Sequence, residues 1–314
     1  MGKNVLTLER NPVQPSLDAV RRRPMWRQSL EGYLFASPWI IGFFVFTLGP
    51  FIASLLISLH RWDILTPMKF IGFENFERLL EDELFWQSLR VTLVYAVLAL
   101  PAQLVLAFFL ALLVNGAQVV NYFFRGVFFL PSVTSGVATA ILWRWLFNPE
   151  FGLINYLLGK VGIAGPAWLT STTWALPALA IMSLWGVGAT MLIYLAGLQS
   201  IPDHLYEAAS IDGATTLGRF RYITLPMMSS TIFFTLVIGV IGSFQVFTQV
   251  YVMTQGGPEN ATRFYVLYLY QQAFRSFRMG YASALAWVLF LIVLVMTLLQ
   301  FRLAKRWVYY ELEE

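Results

Sequence analysis

The side chains that usually carry acid–base, metal or nucleophile chemistry are scarce in this sequence. There is no cysteine, which removes disulfides, thiolates and cysteine-bound metals. The two histidines, His60 and His204, stand far apart in the chain and read as structural or interfacial residues at helix ends, not as a ligand pair. No Gly-Lys pair is followed by Ser or Thr: Gly159-Lys160 runs into Val161, so no phosphate-cradling loop is present. No nucleophile–base constellation or metal cluster is found, and an enzymatic reading has no support. What remains is uncharged hydrogen-bonding chemistry at two places inside otherwise apolar runs. One is 183–188, with Ser183, Trp185 and Gly188; the other is 243–249, with Ser243, Phe244, Gln245 and Gln249. Polar groups at such positions face protein or a water-filled cavity, so they either line a substrate path or hydrogen-bond a neighbouring helix.

The elements that would position them are membrane helices. The 314 residues are 58% hydrophobic and 12% charged, about half the charge of a soluble domain. Six apolar runs, at 32–59, 91–114, 126–143, 174–198, 227–253 and 281–301, contain no Asp, Glu, Lys or Arg. About 20 residues at 1.5 Å each cross the hydrocarbon core, so the expectation is an all-α protein with six transmembrane helices. Pro101, Pro131 and Pro177 fall within or near the ends of these runs, where neighbouring helices can satisfy the freed carbonyls. Residues 1–30 form a polar N-terminal segment with Arg21, Arg22, Arg23 and Arg27, residues 31–306 the membrane domain, and 307–314 a short tail. With the N-terminus inside, 12 Lys and Arg lie on the inner side against 9 outside, and six of the 12 precede the first span. Both termini are then cytoplasmic. The net charge of +4 belongs to topology and calls for no nucleic acid.

Between the fourth and fifth runs lies a polar island, 200–226, on the cytoplasmic side in this orientation. Ser200 followed by Asp203 is a helix-start pattern, with Pro202 in the first turn. Asp212-Gly213 is a helix stop, because glycine enters the left-handed region without a Cβ clash. Thr215 and Thr216 can cap a second helix, which Pro226 closes. The island therefore reads as a helix, a tight turn and a helix, with small Ala208, Ala209 and Ala214 near the bend where another surface could approach. An ordinary amphipathic connector fits the same residues. The spans hold no buried carboxylate or histidine for an ion relay. A transporter built this way would need another subunit to drive it, and the island is the one feature large enough to receive that drive.

Glu207-Ala208-Ala209, Asp212-Gly213-Ala214, Phe220, Ile223 and Leu225-Pro226 together resemble the EAA loop of ABC-importer permeases. Phe70-Ile71-Gly72-Phe73-Glu74-Asn75-Phe76 with Phe85-Trp86 is similar to the outer-loop signature of the first permease subunit of carbohydrate systems. Gly256-Gly257-Pro258 with Thr262, then Tyr268, Tyr270 and Met279-Gly280-Tyr281-Ala282-Ser283-Ala284, resembles that subunit's segment before its last helix. The likeness covers nearly everything after residue 30, without the extra N-terminal helices or large outer insertion of the maltose type.

This resemblance implies a type I ABC-importer permease fold in a prokaryotic plasma membrane. It implies as partners a second homologous permease, an ATP-binding cassette ATPase dimer and an extracytoplasmic sugar-binding protein, with no cofactor or metal on this chain. Glu207, Ala208, Ala209, Asp212 and Gly213 would form the ATPase-coupling hairpin, Glu207 as polar anchor and Gly213 as turn. By motif register Ser183, Trp185, Gly188, Ser243, Phe244, Gln245 and Gln249 would lie along the sugar path. Ser183 and Gln245 stand where maltose-type relatives use asparagines. Hydroxyls and amides suit sugar hydroxyls, and Phe244, Phe247 or Trp185 could stack on a pyranose. A permease for another solute such as glycerol phosphate would call for a basic lining, and a non-conducting membrane scaffold would need no cavity.

Overall fold

A computed structural model describes residues 25–115 and 119–309, and for 25–31 and 119–121 the backbone alone. Most of the N-terminal segment and the last five residues of the tail therefore lie outside the described residues. The chain divides into two units at Ser54. In the first, α1 (Met25–Phe43) passes through a π-helical turn at Phe44–Leu48 into α2 (Gly49–Ser58), which continues past the boundary. The helical stretch Gly32–Ser58 is 27 residues long, enough to cross a membrane.

The second unit begins with two short strands, β1 (His60–Arg61) and β2 (Lys69–Phe70), paired antiparallel with His60 opposite Phe70. Every other element among its described residues is helical. In order they are α3 (Glu74–Glu81), α4 (Glu83–Leu113), α5 (Val119–Val133), α6 (Gly136–Leu146), α7 (Leu153–Lys160), α8 (Ala175–Ser183), α9 (Gly188–Gln199), α10 (Asp203–Ile211), α11 (Thr216–Arg219), α12 (Leu225–Met227), α13 (Ser229–Phe244), α14 (Thr248–Met253), α15 (Tyr265–Tyr270) and α16 (Met279–Ala304). Four stretches are long and apolar enough to cross a membrane, and the sharply bent pairs α5–α6 and α8–α9 make up to six if each pair is one span.

The third run is the main departure from the sequence reading. In place of one helix over 126–143, α5 and α6 meet at 97°. The cause is local: Pro131 lies in the last turn of α5, and the hydroxyls of Ser132 and Thr134 donate back to the carbonyls of Phe129 and Pro131. Ser135 is then extended, with ψ 132°.

α4 is the central post, packed against α8, α9, α13 and α15. Ala99, Ala107 and Ala111 are fully buried on it, since small side chains let membrane helices approach closely where no hydrophobic drive separates protein from lipid. At its N-terminus Asp82 caps the helix by accepting the Leu84 N–H at 3.0 Å. The same carboxylate accepts the hydroxyls of Tyr281, at 2.5 Å, and Tyr268. Close by, the Asn75 amide donates to the carbonyls of Ser58 and His60 at 2.7 and 3.0 Å. The outer-loop signature and the segment before the last helix, far apart in sequence, thus form one cluster.

Burial pushes the Asp82 carboxyl up, but hydrogen bonds from Tyr268, Tyr281 and the amides of Leu84 and Phe85 outweigh it and hold the group below its ordinary 3.8. Tyr268 is pushed up to about 12 by burial and by Asp82. At neutral pH the tyrosines are therefore donors and Asp82 the charged acceptor. A carboxyl depressed on folding stabilises the fold above its unfolded pKa and gives that up as pH falls through the folded value. Asp82→Asn is expected to lower the thermal midpoint at pH 7, through loss of roughly 1.5 kcal/mol of charge-assisted bonding. It should also flatten the decline that the wild type shows below about pH 4, as read by melting curves of the purified protein.

Candidate functional site

Two features of the second unit hold the residues singled out by sequence: the hairpin at 200–226 and a polar cleft among the spans. In the hairpin, α10 carries Glu207, Ala208 and Ala209 and ends at Asp212. The Gly213 N–H then bonds the Ser210 carbonyl at 3.2 Å, and the Ala214 N–H reaches the Ala209 carbonyl at 2.8 Å. This is a Schellman stop, and it needs the φ of +73° that Gly213 adopts. Thr215 caps α11, its hydroxyl accepting the Gly218 N–H at 3.2 Å. Two cross-ties lock the arms together. Arg219 Nη1 donates to the Ser210 hydroxyl at 3.0 Å, and the hydroxyls of Tyr206 and Thr224 lie 3.0 Å apart.

Two details differ from the sequence reading. Ser200 does not start α10: its hydroxyl turns back onto the Gly197 carbonyl, closing α9, and Pro202 is the capping residue. Pro226 does not end the second arm either. The chain runs from α11 through a π-helical turn at Phe220–Thr224 into α12, where Pro226 occupies an early position and its missing N–H costs nothing. Both arms are thus nearly continuous with spans, α9 on one side and α13 on the other.

The hairpin surface is open. Ile211, Leu217 and Tyr222 are 74–87% exposed, and Glu207 and Asp212 are exposed with them. Glu207 makes no ion pair or hydrogen bond among the described residues. The fold supplies a capped, cross-tied tip with exposed apolar and acidic groups.

The cleft forms where helices break. The 97° corner between α5 and α6, the 3-10 turn Leu184–Gly186 between α8 and α9, and the gap 245–247 between α13 and α14 lie beside two adjoining cavities. The first, about 260 Å³, is lined by Thr134, Thr139, Ser183, Trp185 and Gln249 among others. The second, about 250 Å³, is lined by Tyr95, Gln103, Ser183, Ser243 and Gln249 with apolar neighbours. Ser183 and Gln249 border both. The hydroxyls of Ser183 and Ser243 donate to their own helices at Ala180 and Val240, 2.5 and 2.8 Å away. Gln103 and Gln249 have amides without a hydrogen-bond partner among the described residues.

Three of the residues singled out lie elsewhere. Phe244 is 1% exposed among Leu100 and Val240, so neither face is open for a sugar to stack on. Gln245 is exposed but borders neither cavity. Gly188 is a packing residue: a Cβ there would stand 2.1 Å from the Phe128 carbonyl oxygen and 2.8 Å from Phe129 Cα. Conversely, Gln103, Thr134 and Thr139 line the cleft without having been singled out. Gln103 carried the same signal as Gln249, an amide inside an apolar run, and it also lies two residues after Pro101.

Residues 86–309 match the family described as binding-protein-dependent transport system inner membrane component. The chain belongs to that family. Among curated proteins, this permease is 45% identical over 303 residues to the "Probable ABC transporter permease protein YesP" of Bacillus subtilis (strain 168), covering 95% of this chain and 98% of the relative. It is 38% identical to the lactose transport system permease protein LacF of Rhizobium radiobacter, over 88% of this chain and 94% of that one. Among solved structures, one chain of a bacterial alginate ABC transporter in complex with an alginate pentasaccharide-bound periplasmic protein matches with TM-score 0.80 and 26% identity. That match covers 89% of the permease and 96% of the solved chain. The permease is therefore a multi-pass membrane protein and a transport subunit, with the fold of ABC-importer permeases.

Because Phe128 and Phe129 present backbone atoms to Gly188, they cannot step aside as a flexible side chain would. Gly188→Ala is expected to cost about 1–3 kcal/mol through overpacking and to lower the thermal midpoint of the purified permease.

Proposed function

We propose that this chain is the first of two permease subunits in an ATP-driven sugar importer, forming half of the path and receiving its drive through the hairpin at 200–226. The observation that carries the reading is the cleft at the convergence of three helix breaks. Among the described residues it is lined by hydroxyls and free amides and by no Lys, Arg, Asp or Glu. Such a lining hydrogen-bonds a neutral polyol and gives an anion nothing to pair with, which favours sugar over glycerol phosphate. The names of the relatives support the same cargo: lactose for LacF and arabinooligosaccharides for the AraP protein of Bacillus subtilis (strain 168), 33% identical over 87% of this chain.

The orientation follows from the excess of Lys and Arg before the first span, which puts both termini and the hairpin in the cytoplasm. An ATPase dimer meets Glu207, Ala208, Ala209, Asp212 and Gly213 there, a sugar-binding protein delivers cargo to the opposite face, and a homologous permease supplies the other half of the path. The mechanism rests on the continuity of the helices. Ser183 lies at the break within the α8–α9 span that leads into the hairpin's first arm, and Ser243 and Gln249 flank the break within the span entered from its second. Closure of the ATPase pair on a stiff tip would move these two spans together and change which side of the membrane the cleft faces, a rigid-body switch between two states.

Gly213→Asp is expected to leave membrane insertion intact while cutting sugar uptake at constant ATP hydrolysis by about tenfold, within the range of coupling energies between linked sites. Normal uptake by that variant would remove the docking role. Gln249→Ala should raise the half-saturating sugar concentration about three- to tenfold, the worth of one or two hydrogen bonds. Unchanged transport kinetics would take Gln249 out of the path.

A further inference from the structure

A second concavity has the opposite chemistry from the cleft. Leu104, Phe108 and Leu112, one turn apart on α4, form one wall of a groove of about 340 Å³. Tyr194 of α9, Phe220 and Leu225 of the hairpin's second arm, and Ile232 of α13 form the other. Among the described residues no charged side chain lines it. Its one polar group, the Tyr194 hydroxyl, is taken up by Thr235 at 2.7 Å. The long walls belong to membrane spans, where an apolar surface meets lipid hydrocarbon or another helix.

The hairpin end of the groove is different. Phe220 is followed by Arg221 and Tyr222, both exposed, with the Arg221 guanidinium 5.8 Å from the Tyr222 ring. Arg221 has no ion pair among the described residues, whereas its neighbour Arg219 is engaged by Ser210. An exposed arginine beside an exposed tyrosine at the end of a span is the composition of a membrane interface, and such a cation attracts anionic headgroups. A hydrocarbon slot with an unpaired, exposed cation next in sequence to one of its lining residues fits an amphiphile with a negative head.

We infer that this groove holds one acyl chain of an anionic phospholipid whose phosphate meets Arg221. Phe220 and Leu225 belong to the hairpin's second arm, so the lipid chain is wedged between α4 and the element that leads into α13. This site is separate from the polar cleft and does not depend on which solute is carried.

The test is native mass spectrometry of the full-length permease, purified with the subunits that accompany it and exchanged into detergent containing phosphatidylglycerol or phosphatidylcholine. The wild type is expected to retain one more phosphatidylglycerol than Ile232→Trp, whose indole fills the groove. Arg221→Gln, a change at an exposed position that leaves the packing untouched, should lower phosphatidylglycerol retention about fivefold and leave phosphatidylcholine unchanged, one basic side chain's share of the attraction. A photoreactive benzoylphenylalanine in place of groove-lining Val105 should yield an adduct of lipid mass. Equal retention of the two lipids by the wild type, or no effect of Arg221→Gln, would overturn the inference. So would an adduct of protein mass at Val105, which would give the groove to a neighbouring helix.

Discussion

The constraint on which this structure depends is the absence of water inside a bilayer. Every backbone N–H and C=O at that depth must find a partner within protein, which leaves helices as the economical solution and makes each interruption expensive unless protein or a cavity receives the freed groups. Among the described residues the second unit has three such interruptions inside its spans, and they gather around one place. The side chains beside them are those that can repair a broken ladder. Ser132, Thr134, Ser183 and Ser243 return their protons to carbonyls three residues back. Keeping a helix broken and keeping a cavity polar are served by the same residues, and this is why the cleft is lined by hydroxyls and amides and not by ions.

Charge, by contrast, is confined to the ends of the spans, and there it does structural work. Asp82 shows how: one carboxylate caps the longest helix and gathers the hydroxyls of Tyr268 and Tyr281 from two other helices. At the other end of the spans the hairpin uses backbone geometry for the same purpose. Its turn is closed by two amide bonds that only a left-handed residue permits, and its arms are tied by one arginine and one tyrosine. A capped turn with cross-tied arms and exposed, unpaired groups is what the proposed ATPase contact would need, since a flexible tip would absorb displacement instead of passing it on.

What was legible in the sequence is what depends on composition and local spacing. Six runs without a charge give an all-α membrane protein. Asp212-Gly213 gives a helix stop, because the left-handed region nearly excludes other residues. Less legible were the positions where tertiary contacts compete with a local signal. Ser200 has the right neighbours for an N-cap, yet its hydroxyl closes the preceding helix. Pro226 looks like a terminator, but a π-helical turn absorbs its missing donor. Gln245 and Gln249 read alike in sequence, and only the gap at 245–247 aims one into the cleft and leaves the other outside it.

The sequence by itself therefore determined the class of protein, the number of apolar runs and the tip of the hairpin, since hydrophobicity and glycine geometry act over a few residues. Only the tertiary structure decided the 97° corner at Thr134 and Ser135, the burial of Phe244, the packing role of Gly188 and the entry of Gln103 into the cleft. Each of these is set by what a neighbouring helix places against the residue. Periodicity carries no record of that neighbour, because an apolar run buried among helices and one facing lipid obey the same rule of composition.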